Sequence, residues 1–173
     1  MSIFVADFLA SKSALIAGGT SGIGLGIATA LAQHGARVVL LGRDREKGEG
    51  AAAKLRERGL DAIAVAADVR DYAAIEAALS DAGEYAQQLN IVVAGAAGNF
   101  RAPAAEMSAN AFRTVVDIDL MGTFNIFRAV HARLNTPGAA LLAISAGQSV
   151  AAIPLQAHAC AAKAGINMLV RTL

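Results

Sequence analysis

Ala17-Gly18-Gly19-Thr20-Ser21-Gly22-Ile23-Gly24 decides the fold of this 173-residue chain, because of what stands on either side of it. Before it runs Ser13-Ala14-Leu15-Ile16, short, apolar and β-prone. After it, an Ala-rich helical stretch extends from Gly22 to about His34, and Arg37-Val38-Val39-Leu40-Leu41 follows as a second strand. A Gly-rich turn that leaves a strand and opens a helix is the geometry a dinucleotide needs. Glycine permits the tight turn and the close approach of backbone to pyrophosphate, and the first N–H groups of the helix favour negative charge. The bare G-x-x-x-G-x-G run is a weak signal, since such turns also serve purely structural ends; the flanking strand and helix give it weight.

The alternation continues outward. A charged helix follows Asp44, then come the strand at residues 61–67, a helix from Asp71, the strand at 90–95, a long helix from about Phe112 to Arg133 and the strand at 139–145. Five strands and five helices in strict alternation predict an α/β fold, a doubly wound parallel sheet of Rossmann type with right-handed crossovers. No repeat, linker or low-complexity tract interrupts it, so residues 1–173 read as one dinucleotide-binding domain. The last stretch, Lys163 to Leu173, reads as an amphipathic helix without a stop signal. The expectation is therefore a chain truncated within the helix that carries Lys163, with further strands beyond it and little turnover without them.

Bulk properties exclude several classes. Apolar residues make up 55% of the chain and the net charge is +1, which argues against a nucleic-acid partner. No apolar run reaches the ~18 residues of a membrane helix, and the N-terminus lacks a basic region ahead of an apolar core. Cys160 is the single cysteine, which rules out an intramolecular disulfide and a cysteine metal cluster and predicts no metal. A cytoplasmic location is expected from these features.

Cofactor choice is written after the second strand, where an acidic side chain grips the ribose hydroxyls of NAD. Gly42 holds that place and Arg43 follows it, so NADP(H) is the expected cofactor. One alternative stays open: Arg43 is merely solvated at a helix start, and Asp44 caps the next helix or binds the ribose.

The glycine spacing resembles that of the short-chain dehydrogenase/reductase family, and the resemblance covers essentially the whole chain. Typical members surround the nicotinamide with Ser, Tyr, Lys and Asn. Here Lys163 is present, but Ala159 stands at the Tyr place and Ala146 at the Ser place, and only Tyr72 and Tyr85 exist in the chain. The Asn place is filled by Asp119. Together with Ala96-Ala97-Gly98-Asn99-Phe100, the run from Ala111 to Asp119 and His158-Ala159, this pattern is similar to the 2,4-dienoyl-CoA reductases of the tyrosine-free peroxisomal type.

That resemblance implies an NADPH-dependent reductase of a conjugated enoyl or 2,4-dienoyl-CoA thioester. It implies Asp119 and Lys163 as catalytic, through a shared water, and Asn99 and Phe100 as substrate-binding. It implies Gly18, Thr20, Ser21, Gly22, Ile23, Gly24, Arg43, Asp68, Val69 and Lys163 as cofactor-binding. Without it, Asp119 would read as a helix cap, Lys163 as a surface cation, Asn99 as a turn residue and Asp68 as a cap. Reduction of another carbonyl substrate and non-catalytic nucleotide binding are the alternatives. The implied partners are a small acyl-CoA-type substrate and further copies of the chain, a tetramer or dimer. Ile126, Phe127, Ile166 and Leu169 serve either that contact or the core.

Overall fold

The structure is a computed structural model that describes Val5 and residues 7–173; the remainder of the 1–173 domain expectation lies outside the described residues. Five strands form one parallel sheet in the order β3-β2-β1-β4-β5. They are β1 (Ser13–Ala17), β2 (Arg37–Gly42), β3 (Ala62–Ala66), β4 (Ile91–Ala94) and β5 (Ala140–Ala143). Every pairing is parallel, with Ala14 opposite Val38 on one side and opposite Ile91 on the other.

The two-residue period of the strands sorts their side chains into two cores. Leu15, Val39 and Leu41 face one layer, with Ile75, Leu79 and Ile126. Ala14, Ile16, Val38 and Leu40 face the other, with Ala28, Ala52 and Leu55. A strand covered on both faces is apolar along nearly its whole length, and all five residues of β1 are buried, the one polar residue being Ser13 at its start. Helices α1 (Gly22–Gln33) and α2 (Arg45–Arg56) supply the second layer, and α3 (Tyr72–Asp81) with α5 (Gly122–Val130) supply the first. Strand β5 differs: it pairs only with β4, and Leu141 and Leu142 remain exposed at this sheet edge.

Helix starts follow side-chain capping. Asp44 accepts from the Lys47 N–H at 2.9 Å, and Asp71 accepts from the Ala74 N–H at 3.0 Å, each satisfying an orphan donor of the first turn. Asp44 is thus the N-cap of α2.

The expected long helix is not continuous. Helix α4 (Ala109–Val116) and α5 are joined by a π-turn at Asp117–Met121, where the Gly122 N–H reaches back to the Asp117 carbonyl. A widened turn of this kind rotates the residues within it relative to a regular helix, and such turns recur at functional sites. The last helix, α6 (Ala157–Thr172), begins six residues before Lys163.

Ile126, Phe127 and Ile166 are buried in the core of this chain, so they are not contact residues for a second copy. The exposed apolar side chains of α4 to α6 are instead Phe112, Met121, Phe124, Met168 and Val170.

Candidate functional site

In a sheet of this order, the chain reverses winding direction between β1 and β4, and the crevice at the carboxyl ends of those strands is the natural ligand site. A cleft of about 550 Å³ opens there. Of the expected cofactor residues, Gly18, Thr20, Ser21, Ile23, Gly24, Arg43, Asp68 and Val69 line it. Gly22 sits within the same turn, and Lys163 lies behind the far end.

The turn is built by close approach. A Cβ on Gly18 would stand 2.8 Å from the Ala96 nitrogen, and the residue has φ of 76°. A Cβ on Gly24 would stand 2.2 Å from the Gly18 carbonyl oxygen, so the first turn of α1 rests directly on the strand end. Ser21 occupies the N-cap of α1, yet its hydroxyl makes no cap bond, and no acid stands in the first turn. Ser21, Ile23 and Gly24 line the cleft, which places the positive end of the helix dipole beside it.

Around the second strand, both acids are already engaged. Asp44 caps α2, and Asp68 accepts from the Arg70 guanidinium at 2.6 and 3.0 Å and from the Arg70 N–H at 2.9 Å. The Arg70 hydrogen bonds hold the Asp68 carboxyl below the usual carboxylate range, against a smaller opposing effect of burial. Asp68 does not cap α3, since Asp71 has that role. Arg43 and Lys47 line the same end and make no ion pair among the described residues. Gly42 is fixed by contact: a Cβ there would lie 2.7 Å from Thr20 Cγ2, so an acidic side chain would displace a residue of the glycine turn.

At the other end, Asp119 and Lys163 meet. Lys163 Nζ stands 3.1 Å from Asp119 Oδ2 and donates to the Ile144 carbonyl at 3.1 Å. The other Asp119 oxygen accepts from the Gly98 N–H at 2.8 Å. Asp119 is 1% exposed and Lys163 8%, so the pair is held away from bulk water, where a charge is tolerated only with a partner. Thr123 donates to the Asp119 carbonyl at 2.6 Å and ties the π-turn to α5. Ile118 and Ile144, neighbours of the pair, line the cleft itself.

Asn99 and Phe100 follow Gly98 without lining the cleft. Asn99 donates through Nδ2 to Gln156 Oε1 at 2.6 Å, and the Phe100 ring stacks on His158 at 4.2 Å. Gln156 escapes a reading of the sequence, because its bond spans 57 residues and no local spacing announces it. Ala159 and Ala162 are buried beside His158 and Lys163 on α6. Neither tyrosine is available to the site: Tyr72 donates to Glu76 at 2.8 Å and Tyr85 to Asp61 at 2.6 Å. Those carboxylate bonds push both phenols up, away from any acid role near neutrality. Among the described residues no helix is long and apolar enough to cross a membrane, and no three His, Cys, Asp or Glu side chains gather as metal ligands.

Residues 12–173 match the family model described as short chain dehydrogenase. A peroxisomal 2,4-dienoyl-CoA reductase, (3E)-enoyl-CoA-producing, from Mus musculus is 39% identical over 99% of this chain and 59% of its own length. A protein of the same name from Saccharomyces cerevisiae is 37% identical over 96% of this chain and 59% of its own. The chain therefore spans about three fifths of the curated relatives it matches. Among solved structures, a citronellol catabolism dehydrogenase from Pseudomonas aeruginosa superposes with a TM-score of 0.91 at 30% identity, covering 99% of this chain and 70% of that one. A gluconate 5-dehydrogenase from Burkholderia cenocepacia, in complex with NADP and tartrate, gives 0.88 at 30% identity over 95% of this chain and 65% of that one. The relatives overturn the cytoplasmic expectation, since they are named as peroxisomal enzymes. Composition misled here: it separates secreted and membrane proteins from the rest and does not distinguish one reducing compartment from another.

Proposed function

Because the chain belongs to the short-chain dehydrogenase family, we propose that the protein is an NADPH-dependent reductase of a conjugated 2,4-dienoyl-CoA or related enoyl thioester. The observation that carries this reading is the buried Asp119–Lys163 pair in a site with alanine at both the Tyr and the Ser places. Ketone reduction requires protonation of an alkoxide, which is the role of the missing phenol. Reduction of a conjugated thioester requires an oxyanion to be stabilised and a carbon to be protonated, and an acid–lysine pair holding a water suffices for that.

The residues fit a dinucleotide. Among the described residues nothing stands within 4 Å of a Cβ built on Gly22, which leaves room at the helix N-terminus for a pyrophosphate. Arg43 and Lys47, next to acids that are already engaged, suit a 2′-phosphate. The NADP complex of the Burkholderia relative supports the same choice. When bound, the cofactor supplies hydride to the conjugated system.

Lys163 holds its ammonium between Asp119 and the Ile144 carbonyl and serves the nicotinamide ribose from there. Asp119, fixed by the Gly98 N–H, orients the water that protonates the carbon beside the thioester. Asn99 donates to the thioester carbonyl, and Phe100 forms a wall of that subsite. The exposed apolar face of α4 to α6 supports assembly into dimers or tetramers.

The test is NADPH consumption by the full-length protein with a 2,4-dienoyl-CoA, run beside NADH and a 3-ketoacyl thioester. Turnover of the dienoyl substrate, lost in Asp119→Ala and in Lys163→Ala, is expected. Turnover of the 3-ketoacyl thioester alone would sink the reading.

A further inference from the structure

The loop at 98–102 and the segment at 155–158 that leads into α6 are joined by contacts of three kinds. Asn99 donates to Gln156 at 2.6 Å, Phe100 stacks on His158 with 28° between rings, and the Ala102 N–H donates to the Leu155 carbonyl at 3.0 Å. A second donor, Gln148 Nε2, reaches the same Gln156 oxygen at 3.1 Å. Leu155 is held at φ of 66°, a left-handed conformation that costs a side-chain-bearing residue about 1–2 kcal/mol and persists only where the surroundings over-determine it.

Two donors converging on one amide oxygen fix which end of Gln156 faces the loop. They fix Asn99 as well. One of its two Nδ2 hydrogens is committed to Gln156, and the planarity of the amide then sets the direction of the other. Asn99 is exposed, so without this partner its amide would turn freely in water.

We propose that Gln156 is a positioning residue that aims the second Asn99 N–H at the thioester carbonyl; this rests on the role given to Asn99 above. Aim matters because a hydrogen bond weakens steeply below ~120°. It matters most where charge develops, since one donor of this kind contributes about 10²–10³ in rate. The Phe100–His158 stack and the Ala102–Leu155 bond keep the loop at the distance this requires, and the Gln148 bond keeps Gln156 from turning to solvent.

Gln156→Met keeps the side-chain length and removes the acceptor. Steady-state rates with a 2,4-dienoyl-CoA and NADPH affinities are compared for the wild type, Gln156→Met, Asn99→Ala and the double variant. Asn99→Ala is expected to lower kcat about 100-fold and Gln156→Met about tenfold. On the Asn99→Ala background, Gln156→Met should change kcat by no more than about twofold, and NADPH affinity should hold within the same margin throughout. Additive losses, weakened NADPH binding in Gln156→Met, or a Gln156→Met variant with wild-type kcat would overturn the proposal.

A second readout is independent of turnover. Solvent exchange of the Asn99 side-chain amide protons, identified by their loss in Asn99→Ala, is measured by NMR in the wild type and in Gln156→Met. Faster exchange in Gln156→Met is expected. Equal exchange would dismiss Gln156 whatever the activity. Slow exchange in a wild type that reduces no dienoyl-CoA would overturn the aim at a thioester carbonyl together with the substrate reading, and would leave Gln156 only as the residue that orders the Asn99 amide.

Discussion

The glycine turn of residues 17–24 draws its close contacts from one short stretch and the strand ends beside it, whereas the Asp119–Lys163 pair is assembled from four separated segments. Lys163 comes from α6, Asp119 from the π-turn, Gly98 from the loop after β4 and Ile144 from the end of β5. The first region is made of backbone and holds no buried charge; its cost is conformational and is met by glycine. The second keeps a carboxylate and an ammonium out of water, and its cost is desolvation, met only while both partners and their hydrogen bonds are in place. One end of the cleft is therefore sensitive to added volume and the other to lost charge.

The largest effect expected from this difference is at the charged end. Asp119→Leu or Lys163→Met leaves the opposite charge buried alone and should destabilise the fold by about 3–5 kcal/mol. Each should also lower kcat by about 10³, in the range of lost general acid–base assistance. Combining the two should restore most of the stability and none of the activity, because two apolar side chains of similar volume replace the pair. Denaturant titrations of the three variants check this. A double variant as unstable as the singles would mean that the pair is structural in a way its geometry does not convey.

At the backbone end the opposite substitution is the damaging one. Gly24→Ala places a methyl 2.2 Å from the Gly18 carbonyl oxygen, where no flexible side chain can give way. The expected loss is about 2–4 kcal/mol of stability, with NADPH binding weakened at least tenfold. Gly26, two residues along the same helix, has nothing among the described residues within 4 Å of the added carbon. Gly26→Ala should be stabilising by about 1 kcal/mol through helix propensity. Equal effects at the two positions would remove the steric account of the turn.

A smaller effect separates the two faces of the nucleotide region. Arg43→Ala should weaken NADPH by about 10- to 100-fold, the ~1.5–3 kcal/mol of a charge-assisted bond, and leave NADH within about twofold. Gly42→Asp should not convert the protein to NADH, because its Cβ displaces Thr20 before the carboxylate can serve the ribose. Calorimetric titration with both nucleotides decides the matter. A Gly42→Asp variant that binds NADH more tightly than NADPH would show that Thr20 yields.

The two regions also differ in how far they can be read from residues alone. The strand at 13–17, the helix opening at Gly22 and the helices that follow Asp44 and begin at Asp71 are local. Period, turn chemistry and capping act over a few residues, and the structure has them where the sequence puts them. The pairing of Asp119 with Lys163 was accessible only through resemblance, since the two stand 44 positions apart in the numbering and no spacing rule joins a helix interior to a later helix. The π-turn that presents Asp119 has no marker in Asp117-Ile118-Asp119-Leu120-Met121, so the run reads as ordinary helix. Gln156 was invisible for the same reason as the pair: its partner is brought to it by the fold. The roles of Ile126, Phe127 and Ile166 were undecidable from an amphipathic pattern, because a helix facing both a core and a partner shows apolar residues on both sides.

His158 supplies the finest distinction between the regions. It is fully buried on α6, and among the described residues neither ring nitrogen has a hydrogen-bond partner. A buried polar atom in that state costs about 1–3 kcal/mol, so the imidazole is not there for its hydrogen bonds to the protein; its visible contribution is the stack on Phe100. His158→Phe keeps an aromatic ring and removes both orphaned nitrogens, but it adds volume to a packed site, an insult of about 1–3 kcal/mol of the opposite sign. The two should nearly cancel, leaving stability within about 1 kcal/mol of the wild type, while His158→Ala, which loses the ring outright, should cost about 3 kcal/mol. If Phe proved as damaging as Ala, the nitrogens would have partners that matter to the fold, and the charged end of the cleft would reach back along α6 from Lys163 to His158, five positions earlier.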